Sequence, residues 1–510
     1  MPHTTQTPET ACQPDESLRS CKETTEALII AFVLAYVFRA FAVEAFVIPT
    51  GSMADTLRGA HFRITCPTCG YQFNYGFAAG QFGYRQGVIP PERVTIPSGG
   101  LDQSGIPLCP MCGRQIDRNV PRRVSNGDRI LVLKYPYYFA SPQRWDVIVF
   151  KNPENTHENF IKRLIGLPGE TLEIIDGDVY IDGHIQQKPP AVQDKLWIPI
   201  YHSDFQVPDH TTDTLDTDIW TQPWRPRRPR SAWSSDDQSH RLRFSGAGQE
   251  HALRFDTARL RKLAPSFLAY DGNTRDDQAI ASDLKLSCLL EKPKDTQGRL
   301  SLRLGKYDRL YQADINFNGR CQLCLIMPDG SREILCHQQL PPLRAGTTPI
   351  TFSNLDHRLT LQLAEHTLAW QGPDDPALWG YDPQAPFLLP DVQILAHAGP
   401  FALDRLALHR DTHYTNSLGN GPGRGTQGQP FTLHPDEFFV LGDNSTASHD
   451  SRFWRQPQPH NGQPPYRAGI VPRQYLVGRA WCVYWPAGYH VHPKIRYAWI
   501  PNFGQMRFIR

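Results

Sequence analysis

An apolar segment near the N-terminus most constrains how this chain can fold. The run from Ala27 to Phe38 contains no charge, and its continuation through residue 48 adds only two charged side chains. As a helix, a stretch of this length spans roughly 33 Å, enough to cross a bilayer core of about 30 Å. We therefore predict a transmembrane anchor over residues 27–46, preceded by an N-terminal tail over residues 1–26.

A cleavable signal peptide is the alternative interpretation of this segment, because Ala40-Phe41-Ala42 resembles a cleavage site. The first 26 residues, however, contain five acidic side chains and only two basic ones, Arg19 and Lys22. The positive region that precedes the apolar part of a signal peptide is therefore missing, which favours an uncleaved anchor. The same weak charge bias leaves the orientation of the anchor undecided.

The overall charge of the chain does not indicate a nucleic-acid partner. Its 510 residues carry a formal net charge of +2, and the basic patch at residues 225–230 is short and interrupted by proline. We interpret this patch as part of a solvated linker and predict no nucleic-acid binding. The length of the chain indicates about two to four domains.

Two Cys-x-x-Cys pairs, each followed by glycine, predict a metal site. They are Cys66 with Cys69 and Cys109 with Cys112. Four thiolates complete a tetrahedral zinc shell without an open position, so we predict one structural zinc ion in a zinc-ribbon insertion over residues 66–113. A pair of disulfides is the alternative and gains weight outside the cytoplasm. Disulfides within such short loops are strained and easily reduced, which favours zinc.

A strand-rich pattern begins near residue 124 and contains an unusual lysine. Period-two alternation in Phe160–Ile165 places Lys162 on one face with two large apolar side chains. Burial lowers a lysine pKa, and a shift from about 10.4 to about 7 disfavours the charged form by roughly 4–5 kcal/mol. A neutral amine is what a general base requires. For this residue considered alone, a lysine that reaches solvent from a strand edge is the alternative.

Four sequence motifs follow the apolar segment in a fixed order. They are Ile48-Pro-Thr-Gly-Ser-Met53, Arg144-Trp-Asp-Val-Ile-Val-Phe150, Phe160-Ile-Lys-Arg-Leu-Ile-Gly-Leu-Pro-Gly169 and Leu441-Gly-Asp-Asn-Ser-Thr-Ala-Ser-His-Asp-Ser-Arg452. This ordered set resembles the motif boxes of the bacterial type I signal peptidases. The resemblance covers residues 27–65, 120–190 and 430–510.

The resemblance implies a Ser–Lys catalytic dyad. Ser52 is expected to be the nucleophile and Lys162 its general base, in agreement with the need of a serine hydroxyl for an adjacent base. The backbone N–H of Ser52 and the hydroxyl of Thr50 are expected to form the oxyanion hole. The other positions carried over from the motifs are Ser448, which would orient the lysine, and three supporting residues, Asp443, Asp450 and Arg452, the last two as an ion pair.

The chain departs from the family pattern in two places. Ser445-Thr446-Ala447 replaces the usual Arg-Asp-Asn, and Arg455 occupies a position that is commonly glycine. These departures affect the expected geometry of the surrounding loop and leave the dyad residues in place.

The resemblance stops in the middle of the chain. Residues 190–269 are rich in Pro, Trp and Asp and predict an irregular linker. Residues 270–412 contain at least six short strand patterns and predict an inserted β-sandwich, which resembles a concanavalin-type jelly roll only at the level of the fold. The Gly-rich residues 413–429 are expected to form a flexible linker back to the peptidase core, which is assigned to residues 47–65, 114–189 and 430–510.

The predicted fold is therefore mainly β, with an N-terminal transmembrane helix, an antiparallel-β signal-peptidase core, a zinc ribbon and a jelly-roll-like β-sandwich. The resemblance implies a membrane-anchored serine endopeptidase that removes signal peptides from exported preproteins after small residues, without a catalytic cofactor. The expected partners are preproteins, the lipid bilayer and the protein-export machinery. The catalytic domain is expected on the extracytoplasmic side of the cell inner or plasma membrane.

A non-catalytic protein is the alternative from another functional class. In that case the β-sandwich would bind glycan or protein at the membrane, and the peptidase core would have become a scaffold. Loss of Ser52 or Lys162 would favour this alternative, and both residues are present.

Overall fold

The chain is mainly β, as predicted, and has one long helix near its N-terminus. A computed structural model describes residues 16–96, 107–205, 207, 223–236, 240–256, 270–271, 281–386, 388–416, 421–458, 465–488 and 500–510. The statements below concern these residues.

The N-terminal helix is long, apolar and exposed. Helix α1 spans Glu16–Val37, and one π-helical turn, Phe38–Ala42, continues it. The segment Ser20–Ala42 contains 23 residues and is long and apolar enough to cross a membrane. The predicted anchor over 27–46 is therefore displaced, because the chain leaves the helix at Ala42 and enters strand β1 (Val43–Val47). Antiparallel pairing of this strand with residues 129–133 fixes it in the sheet and ends the helix.

Between β1 and residue 196, the described part of the chain contains nine strands and two further α-helices, both short. The helices are α2 (Pro136–Phe139) and α3 (Pro190–Leu196). The strands that follow β1 are β2 (His61–Thr65), β3 (Gln72–Gly76), β4 (Val124–Ser125), β5 (Arg129–Leu133), β6 (Val147–Asn152), β7 (Asn155–Gly166), β8 (Thr171–Ile175), β9 (Asp178–Ile181) and β10 (His184–Ile185).

The middle and C-terminal parts contain the remaining strands. Those of the middle are β11 (Ile198–His202), β12 (Trp224–Pro226), β13 (Trp233–Asp236), β14 (Arg241–Phe244), β15 (Glu250–Phe255), β16 (Leu284–Lys292), β17 (Arg299–Lys306), β18 (Arg309–Asn316), β19 (Arg320–Ile326), β20 (Arg332–Gln339), β21 (Gly346–Leu355), β22 (Arg358–Leu363), β23 (His366–Gln371), β24 (Val392–His397) and β25 (Phe401–Arg410). Those of the C-terminal part are β26 (Phe431–Thr432), β27 (Glu437–Leu441), β28 (Val471–Pro472), β29 (Leu476–Trp485) and β30 (Arg507–Phe508).

One antiparallel sheet joins both ends of the chain. Its strand order is β1-β5-β29-β6-β7-β27-β28, and β30 pairs with β29. Strand β1 lies at one edge of this sheet among the described strands, and β7 lies inside it between β6 and β27. A smaller sheet has the order β10-β9-β8-β26, so it also combines strands from the two ends of the middle region. The sheet topology therefore brings residues near 50, 160 and 440 into one layer.

The middle of the chain forms two large antiparallel sheets. One has the order β13-β14-β25-β16-β21-β22-β23 with β11 paired to β25, and the other has the order β12-β15-β24-β17-β18-β19-β20. The two sheets share one apolar core, to which Leu286 and Phe352 contribute from the first sheet and Leu302 and Ile394 from the second. We call this double sheet the sandwich.

The sandwich includes the region that the sequence predicts to be an irregular linker. Strands β11–β15 all lie within residues 190–269 and belong to its two sheets. They are only three to six residues long: β11 and β14 pair with β25, β15 pairs with β24, and β12 and β13 join the sheets through β15 and β14. Their aromatic side chains Trp233, Phe244 and Phe255 fill the shared core. These strands form because they pair with other strands of the sandwich, and a local sequence pattern does not predict them.

The cysteine-containing region extends beyond the predicted boundaries of residues 66–113. Strands β2 and β3 form a hairpin on either side of the first cysteine pair, and β4 adds a third strand. Phe62, Tyr75 and Val124 pack with the cysteines in one apolar cluster. The region therefore takes its strands from both flanking segments, because the hairpin needs residues on each side of the pair.

The Gly-rich segment near residue 420 is packed rather than flexible where the structure describes it. Tyr414 is fully buried. Arg424 N donates a hydrogen bond to Arg452 O at 3.0 Å, and Ile174 N donates one to Gly425 O at 2.7 Å. Main-chain hydrogen bonds thus attach the predicted flexible linker over 413–429 to strand β8 and to the segment around Arg452.

A buried cluster of aspartates and lysines connects the four-stranded sheet β10-β9-β8-β26 to the sandwich. Carboxylate oxygens of four buried aspartates lie within 4.8 Å of one another, and two buried lysines lie among them. Lys188 Nζ lies 2.6 Å from Asp356 and 2.8 Å from Asp411. The second lysine contacts two further carboxylates, which completes the set that we call the aspartate–lysine cluster: Asp178, Lys188, Asp283, Lys306, Asp356 and Asp411.

Candidate active site

The predicted nucleophile lies on a turn that immediately follows the edge strand β1. Apolar side chains on both sides of the turn, Ile48, Met53 and Leu57, are buried against the sheet. Ala54 N donates to Gly51 O at 2.9 Å, which closes the turn around Ser52. The turn is thus held by its flanking apolar residues, while Ser52 itself remains partly exposed.

The predicted base lies on the interior strand β7. Lys162 is opposite Ile148 of β6 and is 4% exposed. Its Nζ lies 2.7 Å from Ser52 Oγ, which is hydrogen-bonding distance. The structure therefore brings together two residues that are 110 positions apart in the sequence.

The surroundings of Lys162 favour its neutral form. Burial lowers the pKa of Lys162 from 10.5 to about 8, although Asp450 and Asp443 act in the opposite direction. No carboxylate of the described residues forms an ion pair with its ammonium group within 4.0 Å; the nearby acids are engaged by arginines. A lysine held in this way can accept a proton near neutral pH.

Two buried arginine–aspartate pairs surround the dyad. Arg452 donates to Asp450 through Nε at 2.9 Å and through Nη2 at 2.8 Å, so the ion pair expected from the motif is present. Asp443 accepts from Nε and Nη2 of Arg163, both at 2.6 Å. The sequence analysis did not predict a role for Arg163. Its position next to Lys162, on the opposite face of the strand, could have indicated that it is also buried and paired.

The altered residues of the last motif take part in this network. Ser445, which replaces the family's usual arginine, accepts a hydrogen bond from Arg452 Nη1 at 2.9 Å. It also accepts one from Thr415 N at 2.8 Å. The substituted loop is therefore connected to the Arg452 side chain and to the segment near residue 415.

Ser448 is fully buried next to the nucleophile turn. A side chain at Gly442 would place its Cβ 2.2 Å from Ser448 Oγ and 2.5 Å from Ser52 O, so glycine is required for this close approach. Ser448 Oγ makes no hydrogen bond to Lys162 among the described residues. The predicted orienting role of Ser448 is therefore not visible as a direct contact with the lysine.

Thr50 and Asn444 lie on either side of the nucleophile turn. Thr50 is exposed, so a bound substrate can reach it. Asn444 Nδ2 donates to Gly51 O at 3.0 Å, and Asn444 N donates to Ser52 O at 3.2 Å. The sequence analysis assigned no role to Asn444, although this residue lies within the last motif.

The four cysteines predicted to bind zinc form a single cluster. Their sulfur atoms lie within 4.8 Å of one another. Cys66 Sγ lies 3.6 Å from Cys112 Sγ, and Cys69 Sγ lies 3.5 Å from Cys109 Sγ. These distances exceed a disulfide bond of about 2.05 Å and approach the roughly 3.8 Å edge of a tetrahedron with zinc–sulfur distances of about 2.3 Å. All four cysteines are free thiols, and their arrangement fits the ligand set of one zinc ion.

Part of the chain matches a known protein family. The family described as signal peptidase, peptidase S26, matches residues 114–217 and 405–485. These two segments make up less than half of the chain, and they contain Lys162, Ser448 and the arginine–aspartate pairs. Ser52 lies outside the matched segments, and its assignment depends on the motif and on its distance from Lys162.

Individual relatives carry the same description. Signal peptidase I of Leptolyngbya laminosa is 38% identical over 109 residues, which are 18% of this chain and 52% of the relative. Signal peptidase I V of Bacillus subtilis is 40% identical over 63 residues, which are 12% of this chain and 36% of the relative. The chain thus spans about half the length, or less, of these curated relatives.

Part of the chain overlaps distantly with solved structures. Carbohydrate binding module CBM66 from Bacillus subtilis overlaps 37% of this chain and 95% of its own length, with 9% sequence identity and a TM-score of 0.24. At this TM-score the overlap carries no argument about what the sandwich does.

Proposed function

We propose that the chain is a membrane-anchored signal peptidase that uses a Ser–Lys dyad. The observation that carries this proposal is the 2.7 Å distance between Ser52 Oγ and the Nζ of a buried lysine whose pKa is lowered to about 8. The match of the surrounding sequence to signal peptidases supplies the substrate class, which is an exported preprotein.

In the proposed reaction, neutral Lys162 takes the proton from Ser52 Oγ as the oxygen attacks the carbonyl carbon of the scissile peptide bond. The resulting oxyanion accepts hydrogen bonds from the Ser52 N–H and the Thr50 hydroxyl, each such donor being worth about 3 kcal/mol. Protonated Lys162 then gives its proton to the leaving amine. Neutral Lys162 next removes a proton from the water that attacks the acyl-enzyme and gives this proton to Ser52 Oγ as the acyl group leaves, which restores the neutral dyad.

The arginine–aspartate pairs support this chemistry indirectly. Arg452 and Arg163 hold Asp450 and Asp443 in bidentate pairs. These carboxylates therefore remain near the lysine without forming an ion pair with it, which would hold the amine protonated. Ser448, which lies against Gly442 as Ser52 O does, is proposed to orient Lys162 when substrate is bound.

The location of the dyad fits a substrate that leaves a membrane. Ser52 follows the exposed helix ending at Ala42 by ten residues, and edge strand β1 lies between them. An edge strand offers free main-chain groups to an extended peptide. We place the catalytic domain on the extracytoplasmic face of the inner or plasma membrane, where exported preproteins with small residues before the cleavage site emerge. The protein-export machinery is the expected neighbour there.

Cleavage of a preprotein by the purified full-length chain tests this proposal. Wild type is compared with Ser52→Ala and Lys162→Ala, with the exposed Lys195→Ala as a matched control. We expect the two dyad variants to lose on the order of 10³-fold or more in kcat/KM and the control to keep wild-type activity. Equal cleavage by all four proteins would eliminate the dyad.

We also propose that Cys66, Cys69, Cys109 and Cys112 hold one structural zinc ion. Four sulfur ligands leave no coordination position for substrate or water, so the ion would stabilise the β2–β3 hairpin and take no part in the reaction. Metal analysis should return about one zinc per chain. Cys109→Ser combined with Cys112→Ser should remove it, whereas Cys321→Ala combined with Cys324→Ala, a Cys-x-x-Cys pair within strand β19, should retain it.

A further inference from the structure

Polar side chains line the outer face of one sandwich sheet. Leu302 of β17 lies in the shared core, so alternation along the strand places Arg303 on the opposite face. Gln312 of β18 and Gln393 of β24 stand opposite Arg303 in the two neighbouring strands. Both glutamines are buried, at 0% and 5% exposure, although they lie on the face away from the core. The side chains of this face therefore enclose one another.

The two glutamine amides are oriented by carboxylates. Gln312 Nε2 donates to Asp314 Oδ1 at 2.5 Å, which leaves its Oε1 to accept from Arg303 Nε. Gln393 Nε2 donates to Asp391 Oδ2 at 2.6 Å, which leaves its Oε1 to accept from Arg303 Nη1 at 3.3 Å. The guanidinium group of Arg303 is thus held in place by two neutral amide oxygens.

The positive charge of Arg303 has no acid partner within 4.0 Å in the part of the chain that the structure describes. The nearby acids pair with other arginines. Asp314 lies 3.3 Å from Arg332, and Asp391 lies 2.8 Å from Arg254. A guanidinium group has five N–H donors, so the two bonds to glutamines leave three donors without a protein acceptor among the described residues.

Arg303 is also an additional cation on this face. A third acid, Glu250, is paired with Arg299 at 2.8 Å. Three arginines thus match the three acids Asp314, Asp391 and Glu250, and Arg303 is left over. A fixed guanidinium group with open donors attracts an anionic group. A carboxylate fits it especially well, because its two oxygens accept two parallel N–H bonds.

A glutamine on the same face has an unused oxygen. Gln322 of β19 stands opposite Asp314 of β18. Its Oε1 is buried and has no hydrogen-bond partner among the residues that the structure describes. A buried acceptor without a donor is unfavourable. A ligand hydroxyl can donate to this oxygen, so the face offers a position for O–H groups as well as one for an anion.

We propose that the outer face of this sheet binds a sugar that carries a carboxylate group. Arg303 holds the carboxylate, and hydroxyl groups of the same saccharide chain bond to the Gln322 amide. Hydroxyl groups donate and accept, as side-chain amides do, so a saccharide matches this face. The polar groups around Arg303 suit it better than they suit a peptide with apolar side chains. The inference is independent of the proposed function.

The test is isothermal titration calorimetry on the purified full-length chain. The probes are oligomers of galacturonate, glucuronate and N-acetylneuraminate, each compared with its uncharged methyl ester. We expect at least one acid oligomer to bind, and its ester to bind about 10- to 100-fold more weakly. Arg303→Gln should weaken binding of the acid by a similar factor. Arg405→Gln, at an exposed arginine of strand β25 in the other sheet, is the matched control and should bind as wild type does.

The comparison of acid with ester uses wild type alone, so it does not depend on the folding of a variant. Absence of binding by all three acids, or equal binding of an acid and its ester, overturns the inference. Unchanged binding in Arg303→Gln overturns it as well. Inorganic phosphate and a polyglutamate peptide are titrated in parallel, and binding of either one as tight as that of the saccharide would show a general anion site instead of a sugar site.

Discussion

The candidate active site and the aspartate–lysine cluster both bury lysine side chains, but they surround them differently. Lys162 is enclosed without an ion-pair partner within 4.0 Å among the described residues, and burial lowers its pKa to about 8. Burial also acts to lower the pKa of Lys306, but Asp283 and Asp178 outweigh it and raise this pKa. The pKa of Lys188 is raised in the same way by Asp356 and Asp411.

The difference shows that burial alone does not make a lysine a base. In the cluster, each ammonium group contacts two carboxylates, so the charged form is retained and the lysine joins two parts of the structure. At the candidate site, arginines occupy the acids instead, and the amine is left to face Ser52. The placement of the arginines therefore decides which lysine can exchange a proton.

Replacement of each lysine by arginine should separate the two regions by the largest difference in activity. Arginine keeps the positive charge but does not lose its proton in proteins. Lys162→Arg should therefore reduce kcat/KM by on the order of 10³-fold or more, whereas Lys306→Arg should keep most activity because only charge is required there. Preprotein cleavage by the two purified variants measures this contrast. Similar losses in both would show that the two lysines do not differ in role.

Removal of the charge from the cluster should destabilise the protein. Lys306→Met leaves Asp283 and Asp178 buried without their cation, and breaking a buried pair in this way costs roughly 3–5 kcal/mol. Denaturant unfolding monitored by tryptophan fluorescence should show the loss. A variant as stable as wild type would mean that the cluster does not hold the sandwich to the sheet β10-β9-β8-β26.

Removal of the charge from the candidate site should have the opposite effect on stability. Lowering the pKa of Lys162 from 10.5 to about 8 disfavours the folded state by roughly 3 kcal/mol below pH 8, because the unfolded chain binds the proton more tightly. This cost fades as the pH rises from about 8 toward 10.5. Lys162→Met should therefore be about 1–3 kcal/mol more stable than wild type at pH 7, although inactive, with a smaller difference at pH 10. Denaturant unfolding at both pH values measures it, and a destabilised variant at pH 7 would contradict the lowered pKa.

A carboxyl group beside the cluster provides the smallest of these effects. Burial raises the pKa of Asp176 to about 6, and Tyr307 donates a hydrogen bond to it at 2.7 Å. The folded protein binds this proton more tightly than the unfolded chain does. The protonated carboxyl group therefore stabilises the folded state fully below the unfolded pKa, and this contribution is lost as the pH rises through the folded pKa of about 6. Asp176→Asn keeps the acceptor and removes the charge, so it should gain roughly 1 kcal/mol at pH 8 and nothing at pH 4. Thermal unfolding at the two pH values tests this difference, and an equal shift at both would contradict it.

The sequence analysis predicted a buried face for Lys162 from its alternation with large apolar side chains, and it made no prediction for Lys188 or Lys306. Leu302 and Leu304 alternate with Lys306 in the same way, and this pattern could have indicated that Lys306 is buried. The sign of each pKa shift depends on carboxylates and arginines from distant strands, which no local pattern reveals. The motif order was sufficient to propose Ser52 with Lys162, and the structure places them in contact.

Other features depended on tertiary pairing and could not be predicted locally. Strands β11–β15 are short and lie in a region rich in proline, so their pairing with β24, with β25 and with one another defines them. The helix ends at Ala42 because the next residues pair with β5, not because of a local stop signal.

The pH dependence of kcat/KM tests the central claim most directly, because it reports the protonation state of the free enzyme's base. Neutral Lys162 is the active form, so kcat/KM for preprotein cleavage should rise with pH along a limb centred at about 8. The account predicts that this limb is lost with the activity in Lys162→Met. A limb centred near 10.5, the ordinary lysine value, would contradict a base prepared by burial.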